Sequence, residues 1–111
     1  MKYFKIKQEP ISVNQAYQGR KVKTEEYRSF IESAAWEIKN QKPEQLKVKL
    51  FVEIILYLTN EKKSDIDNRL KSILDACTQG GLWKDDSQIY EMFVSKRKDS
   101  KNWVEIFVRN I

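Results

Sequence analysis

The apolar residues of this chain follow two alternating periods. Near the start, Tyr3, Lys5 and Lys7 alternate with Phe4, Ile6 and Gln8, the period of two expected of a half-exposed strand over residues 2–8. Pro10 cannot donate to a ladder, so residues 9–19 read as a loop. Tyr27, Phe30, Ile31, Ala34, Ala35 and Ile38 then recur at helical spacing, with Thr24 placed to cap and Glu25 and Glu26 in the first turn. This predicts an amphipathic helix that ends near Gln41, before Pro43, and leaves Trp36 off its apolar stripe.

Residues 47–59 return to period two. Val48, Leu50, Val52, Ile54, Leu56 and Leu58 share one face; Lys49, Phe51, Glu53, Ile55 and Tyr57 share the other. One wholly aliphatic face and one half-apolar face predict a strand in the interior of its sheet. A second helix is expected from Ser64 or Asp65 as cap, burying Ile66, Leu70, Ile73, Leu74 and Cys77 and ending at Gly80-Gly81, after which Leu82-Trp83 re-enters the core. Two alternating stretches, 88–98 and 102–110, close the chain as strands joined by a hairpin turn at residues 99–102. The order β-α-β-α-β-β predicts an α+β fold: one domain over residues 1–111, with a mixed or antiparallel sheet of about four strands and two main helices.

Charge changes this picture. The net charge is +5, yet residues 65–86 carry five acids against three bases, a local −2 that leaves +7 for the rest. A basic body around an acidic centre suits a polyanion whose phosphates meet a bound cation. Basic residues follow an aromatic in the N-terminal loop, where Asn14, Tyr17, Arg20, Lys21 and Lys23 could grip a phosphate backbone, and a second group, Lys96, Arg97 and Lys98, precedes the last turn. A solvated connector would have the same composition.

The absence of histidine excludes Ser-His triads and His-based zinc sites, and the lone Cys77, in register with buried helix positions, suits a core thiol and a reducing compartment. The first residues are too charged for a signal peptide and no apolar run is long enough to span a membrane, so the cytoplasm is the expected location.

Acid–base or metal chemistry must then come from carboxylates, lysines or tyrosines. Five of the six aspartates, Asp65, Asp67, Asp75, Asp85 and Asp86, lie between Ser64 and Gln88. Asp67 and Lys71 share one helical flank, which capping and a routine i, i+4 ion pair would also explain. The adjacent pair Asp85-Asp86 precedes a strand, where capping gives no reason for it, and a hard cation would relieve its repulsion. Carboxylates without imidazole or thiolate point to Mg²⁺, or Mn²⁺, rather than zinc.

The run D-I-D-N-x-x-K-x-x-x-D (65–75) followed by G-L-W-K-D-D-S-Q-I (81–89), with Pro10-x-Ser-x-Asn14 upstream, resembles the RusA family of Holliday-junction endonucleases, small and often prophage-borne. The N-terminal loop departs from the family, which often carries additional prolines and arginines there. The resemblance implies Asp65, Asp67 and Asp86 as Mg²⁺ ligands, with Asp85 secondary or orienting, and Lys71 as the essential lysine. Asn68 and Gln88 match motif positions with no chemistry assigned, and Asp75 is expected to be a solvated helix residue. The implied activity is metal-dependent phosphodiester hydrolysis that resolves four-way DNA junctions by paired symmetric nicks in recombination and repair, with a homodimer supplying two sites and no small-molecule substrate. The rivals are a non-cleaving branched-DNA-binding or regulatory protein on the same fold, and a nuclease for forks or flaps.

Overall fold

A computed structural model describes residues 1–12, 17–18 and 22–111, with residues 17–18 and 22–23 described by backbone alone. The elements are β1 (Lys2–Ile6), β2 (Tyr17–Gln18), β3 (Val22–Lys23), α1 (Glu25–Asn40), β4 (Leu50–Leu58), α2 (Ile66–Gly80), β5 (Ile89–Lys98) and β6 (Trp103–Asn110). The main sheet has the order β1-β6-β4-β5, and β2 and β3 form a separate two-stranded ladder. β4 lies in the sheet interior as its aliphatic and half-apolar faces predict, antiparallel to β6 and parallel to β5. A parallel neighbour demands a crossover, and α2 is that crossover.

The expected hairpin of β5 with β6 is therefore not formed: β4 runs between them. The four-residue link at 99–102 steps over the end of β4 and is stitched to it. Asp99 N–H donates to the Leu58 carbonyl (3.1 Å), Thr59 N–H donates to Asn102 Oδ1 (2.9 Å), and the Tyr57 and Trp103 rings stack at 4.2 Å. An apolar strand gains more from two hydrogen-bonded neighbours than its neighbours gain from each other, so local adjacency gives way. β5 becomes an edge, which leaves Tyr90 and Met92 exposed although their alternation resembles that of a buried face.

Both helices lie on the face formed by Leu50, Val52, Ile54, Leu56 and Leu58, which is buried together with Val104, Ile106, Val108, Phe4 and Ile6. α1 buries the six expected residues, and Thr24 Oγ1 accepts from Tyr27 N–H (3.2 Å). α2 is rotated from expectation: its deepest residues are Ser72, Ile73, Ala76, Cys77 and Gly80, whereas Ile66, Leu70 and Leu74 are only partly covered. The reason is α1. A Cβ on Gly80 would sit 2.8 Å from Ile38 Cβ, so the helices approach through small residues, which a search for large apolar positions passes over. Gly81, at φ 89°, ends α2 in the left-handed region, and Leu82 N–H returns to the Cys77 carbonyl (3.1 Å). Trp36 is 68% exposed.

Candidate active site

The site is built on both ends of α2. Between β4 and α2 the chain makes a short helical turn, Glu61–Lys63, held by Lys96, whose ammonium donates to the carbonyls of Glu61 (2.7 Å) and Ser64 (2.8 Å). Asp65 occupies the N-cap position, yet its side chain makes no capping bond, and Ser64 donates its hydroxyl hydrogen to the Asn60 carbonyl instead of capping. The Asp65 carboxylate is oriented by Asn68 Nδ2 (3.2 Å), which gives that motif asparagine a job. Asp67 and Lys71 are exposed. Capping, the bland reason for an acid here, is not what the Asp65 carboxylate does.

The other flank of α2 fastens the N-terminal segment. Arg69 Nη1 donates to the Pro10 carbonyl (2.6 Å) and pairs with Glu9 at 3.1 Å, and Ser72 Oγ donates to the Ile11 carbonyl (2.8 Å). The chain up to residue 12 is thus held alongside the acidic helix. Asn14, Arg20 and Lys21, and the side chains of Tyr17 and Lys23, lie outside the described residues.

Beyond α2, buried Trp83 donates its indole N–H to Thr78 Oγ1 (2.8 Å) and anchors the second acidic segment. Here Asp85 does cap: its Oδ1 accepts from Ser87 N–H (3.1 Å) at the start of the turn Asp86–Gln88, so the view that neither acid of the pair gains by capping is corrected. Gln88 is the clamp. Its Oε1 accepts from the N–H groups of Lys84 (2.9 Å) and Asp85 (3.0 Å), while its Nε2 donates to the carbonyls of Leu46 (2.8 Å) and Val48 (3.0 Å). One side chain ties the acidic turn to the segment entering β4.

The carboxyl groups of the two acids are shifted in opposite directions. Donation from Ser87 N–H, then contact with Asp86, keeps the Asp85 carboxyl below its usual range. Asp86 is pushed up, first by partial burial, then by its contact with Asp85 and by the charges of Asp85 and Asp75, with Lys71 opposing. Asp75 is not the solvated residue expected. It is three-quarters buried, with 26% of its side chain accessible; it accepts a short hydrogen bond from the Tyr27 hydroxyl and pairs with Lys71 Nζ at 3.7 Å. An open cleft of about 320 Å³ lies here, lined by Ile31, Asp75, Thr78, Gln79, Asp85 and Asp86.

Lys71 and Asp86 thus act on each other through space, and Asp75 acts on both. Asp65 and Asp67 lie one to two turns back along the same helix. Among the described residues no three acidic or cysteine side chains converge closely enough to cage an ion. The carboxylates instead stand in two places, Asp65 and Asp67 at the start of α2 and the touching pair Asp85 and Asp86 in the turn beyond it. That pattern fits Mg²⁺, which is held by one or two carboxylates and completed by waters and substrate phosphate. Cys77 is fully buried and burial pushes its thiol up, as a core residue requires.

The three basic residues at the end of β5 do not form one patch. Successive strand residues alternate faces: Arg97 pairs in register with Tyr57 on the outer face of the sheet, Lys96 and Lys98 with Leu56 and Leu58 on the helix face. Lys96 is engaged internally; Arg97 and Lys98 are exposed.

The family model for endodeoxyribonuclease RusA matches residues 6–109, from β1 into β6. The chain belongs to the RusA endodeoxyribonuclease family. A crossover junction endodeoxyribonuclease RusA from Aquifex aeolicus (strain VF5) is 38% identical over 78 residues, which covers 68% of this chain and 62% of that protein, so the match spans less than two thirds of the relative. The RusA match takes in both sets of carboxylates, Lys71 and the Gln88 clamp. Among the described residues no helix is long and apolar enough to cross a membrane. Two residues of the cluster around Lys71, Tyr27 and Asp75, were not marked in the sequence; the signal available was the i, i+4 spacing of Asp75 from Lys71.

Proposed function

We propose that this protein is a metal-dependent endodeoxyribonuclease that resolves four-way DNA junctions by paired symmetric nicks. The observation that carries the reading is that α2 holds an uncapping carboxylate at Asp65, with Asp67, Lys71 and, across the cleft, Asp86, inside a RusA match that runs nearly end to end. The relative's description as a crossover junction endodeoxyribonuclease supplies the substrate class.

In this mechanism Asp65 and Asp67 at the start of α2 and Asp86 in the turn beyond it would offer carboxylates to Mg²⁺, one or two at a time with water and substrate phosphate completing the shell, and Mn²⁺ is the alternative ion. The ion, when bound, polarises the scissile phosphate and lowers the pKa of an attacking water. Lys71 places its ammonium where the phosphate gains charge in the transition state. Asp85 and Gln88 hold the turn that presents Asp86, and Asn68 orients Asp65. DNA backbone contacts fall to the N-terminal segment that carries Asn14, Tyr17, Arg20, Lys21 and Lys23, and to exposed Lys98; Lys96 serves the α2 turn instead. Two symmetric cuts need two sites, so the working unit is a homodimer.

The test is cleavage of labelled junction, fork, flap and duplex DNA at one salt concentration, with Mg²⁺ or with EDTA. Wild type should cut the junction preferentially and only with the metal, and Asp67→Asn should bind it without cutting. Salt-sensitive binding without products would support the non-cleaving alternative; equal cutting of forks and flaps would reassign the substrate.

A further inference from the structure

The two edges of the main sheet are treated differently. At β1 the backbone edge is closed by α1: Gln41 accepts from Lys5 N–H (2.9 Å) and donates to the Lys5 carbonyl (2.7 Å), and Glu37 accepts from Lys7 N–H (2.7 Å). These side chains mimic a neighbouring strand and remove the edge. At β5, among the described residues, no strand or side chain does the same over ten residues. This long edge also shows large apolar groups to solvent: Tyr90 is 63%, Met92 36% and Phe93 66% exposed. Such an edge is a template for another strand.

The order of its charges says which strand. β5 carries Glu91 near its start and Arg97 near its end, both exposed and both on the outer face of the sheet, in register with Phe51 and Tyr57. A second copy related by a two-fold axis must pair antiparallel, and its outer-face residues must meet outer-face residues, since a slip of one residue would swap the faces. Only registers centred on a residue satisfy this. Centring on Val94 sets Glu91 of each copy opposite Arg97 of the other, two cross-strand ion pairs per dimer, with Phe93 opposite Ser95 and Met92 opposite the stem of Lys96. Centring one residue later sets Glu91 against Asp99; one residue earlier sets Arg97 against Ile89 and leaves Glu91 unpaired.

We propose that β5 is the homodimer interface, pairing with β5 of a second copy of this chain about an axis at Val94 and joining the two sheets into one. This deepens the two-copy part of the function proposed above and rests on it. It also assigns Arg97 to the partner strand rather than to DNA. The outer face beside it mixes Glu53, Glu91 and Glu105 with Lys5, Arg97 and Arg109, a balance suited to a like surface and not to a polyanion.

The experiment is sedimentation velocity over a concentration series on wild type, Glu91→Arg, Arg97→Glu and the double reversal. Both positions are exposed, and far-UV circular dichroism checks that each variant is folded. Wild type should dimerise, each single reversal should weaken the dimer by about tenfold or more because it creates two like-charge pairs, and the double reversal should restore it. A monomeric wild type, or single reversals that dimerise as wild type does, overturns the interface, as does an effect on DNA affinity alone. Val94→Cys should form a covalent dimer under mild oxidation, since directly opposed residues lie within disulfide reach and Cys77 is buried; failure to cross-link within an intact dimer overturns the axis. Junction cleavage by the same wild-type preparation separates the two claims: a cutting dimer insensitive to the reversals refutes only the interface, and a charge-sensitive dimer that does not cut refutes only the nuclease.

Discussion

Tyr27 donates its hydroxyl hydrogen to the same oxygen of Asp75 that pairs with Lys71 at 3.7 Å. The tyrosine is the first residue of the buried stripe of α1, and the aspartate lies 48 residues later on α2. A core residue on one helix thereby sets the acid that restrains the lysine proposed to meet phosphate. Tyr27→Phe keeps the buried ring and removes the hydroxyl, leaving Lys71 to draw the Asp75 carboxylate toward itself. The expected result is roughly ten- to a hundredfold slower junction cleavage with unchanged junction affinity, read as a fall in kcat at constant KM. An unchanged kcat would make the contact purely structural.

Gln88 makes four hydrogen bonds with one amide, and their polarity is testable. Gln88→Glu keeps the acceptor toward the N–H groups of Lys84 and Asp85 but turns the donor into a second acceptor facing the carbonyls of Leu46 and Val48. A loss of about 1–3 kcal/mol is expected in urea unfolding, with slower cleavage because Asp86 hangs from the same turn. Gln88→Ala should cost a similar amount of stability. If Gln88→Glu is as stable as wild type, the carbonyl contacts carry no weight.

What could be read in the chain before its structure, and what could not, follows from the range of the interactions. α1 was legible to its cap because Thr24, Glu25 and the apolar spacing are local signals, and β4 was legible because one of its faces is aliphatic throughout and the other half apolar over nine residues. The insertion of β4 between β5 and β6 was not, since strand order is decided by which strand can use two neighbours. The deep face of α2 was missed because it is made of Ser72, Ala76 and Gly80, residues small enough for α1 to approach. At the site, the motif resemblance marked Asp65, Asp67, Lys71 and Asp86, but Asp75 looked solvated because its partner is Tyr27 on another helix, and the work of Asp85 as a cap depends on a turn that no periodicity announces.

Gly80 tests the helix approach directly. An added methyl would lie 2.8 Å from both Cβ and Cγ2 of Ile38 and 3.1 Å from the Ala35 carbonyl oxygen. Alanine gains about 1 kcal/mol of helix propensity over glycine, but Ile38 is β-branched and fully buried, so neither helix yields without repacking. Gly80→Ala should therefore be net destabilising by about 1–3 kcal/mol in equilibrium unfolding, where the same change in an open helix would stabilise. Pairing it with Ile38→Leu, which removes the Cγ2 branch from the contact, should recover part of the loss. A Gly80→Ala variant more stable than wild type would show that the helices part easily.

Acid should loosen the link over β4 first at Asp99. Its carboxylate accepts from Trp103 Nε1 (2.7 Å) and from Ser100 N–H (2.7 Å), and these donations, the Trp103 bond foremost, hold its pKa below the ordinary value of 3.8. A carboxyl lowered in the folded state binds its proton more readily when unfolded, so its stabilisation is full above the unfolded pKa and is lost as pH falls through the folded one. Wild type should thus lose stability as pH falls from about 5 through that ordinary value and below it, partly through this group. Asp99→Asn keeps an acceptor for the indole but has no proton to gain, and its unfolding midpoint in urea should fall less over that interval, though it starts lower at pH 7. Parallel midpoint curves for the two proteins across that range would remove Asp99 from the acid response.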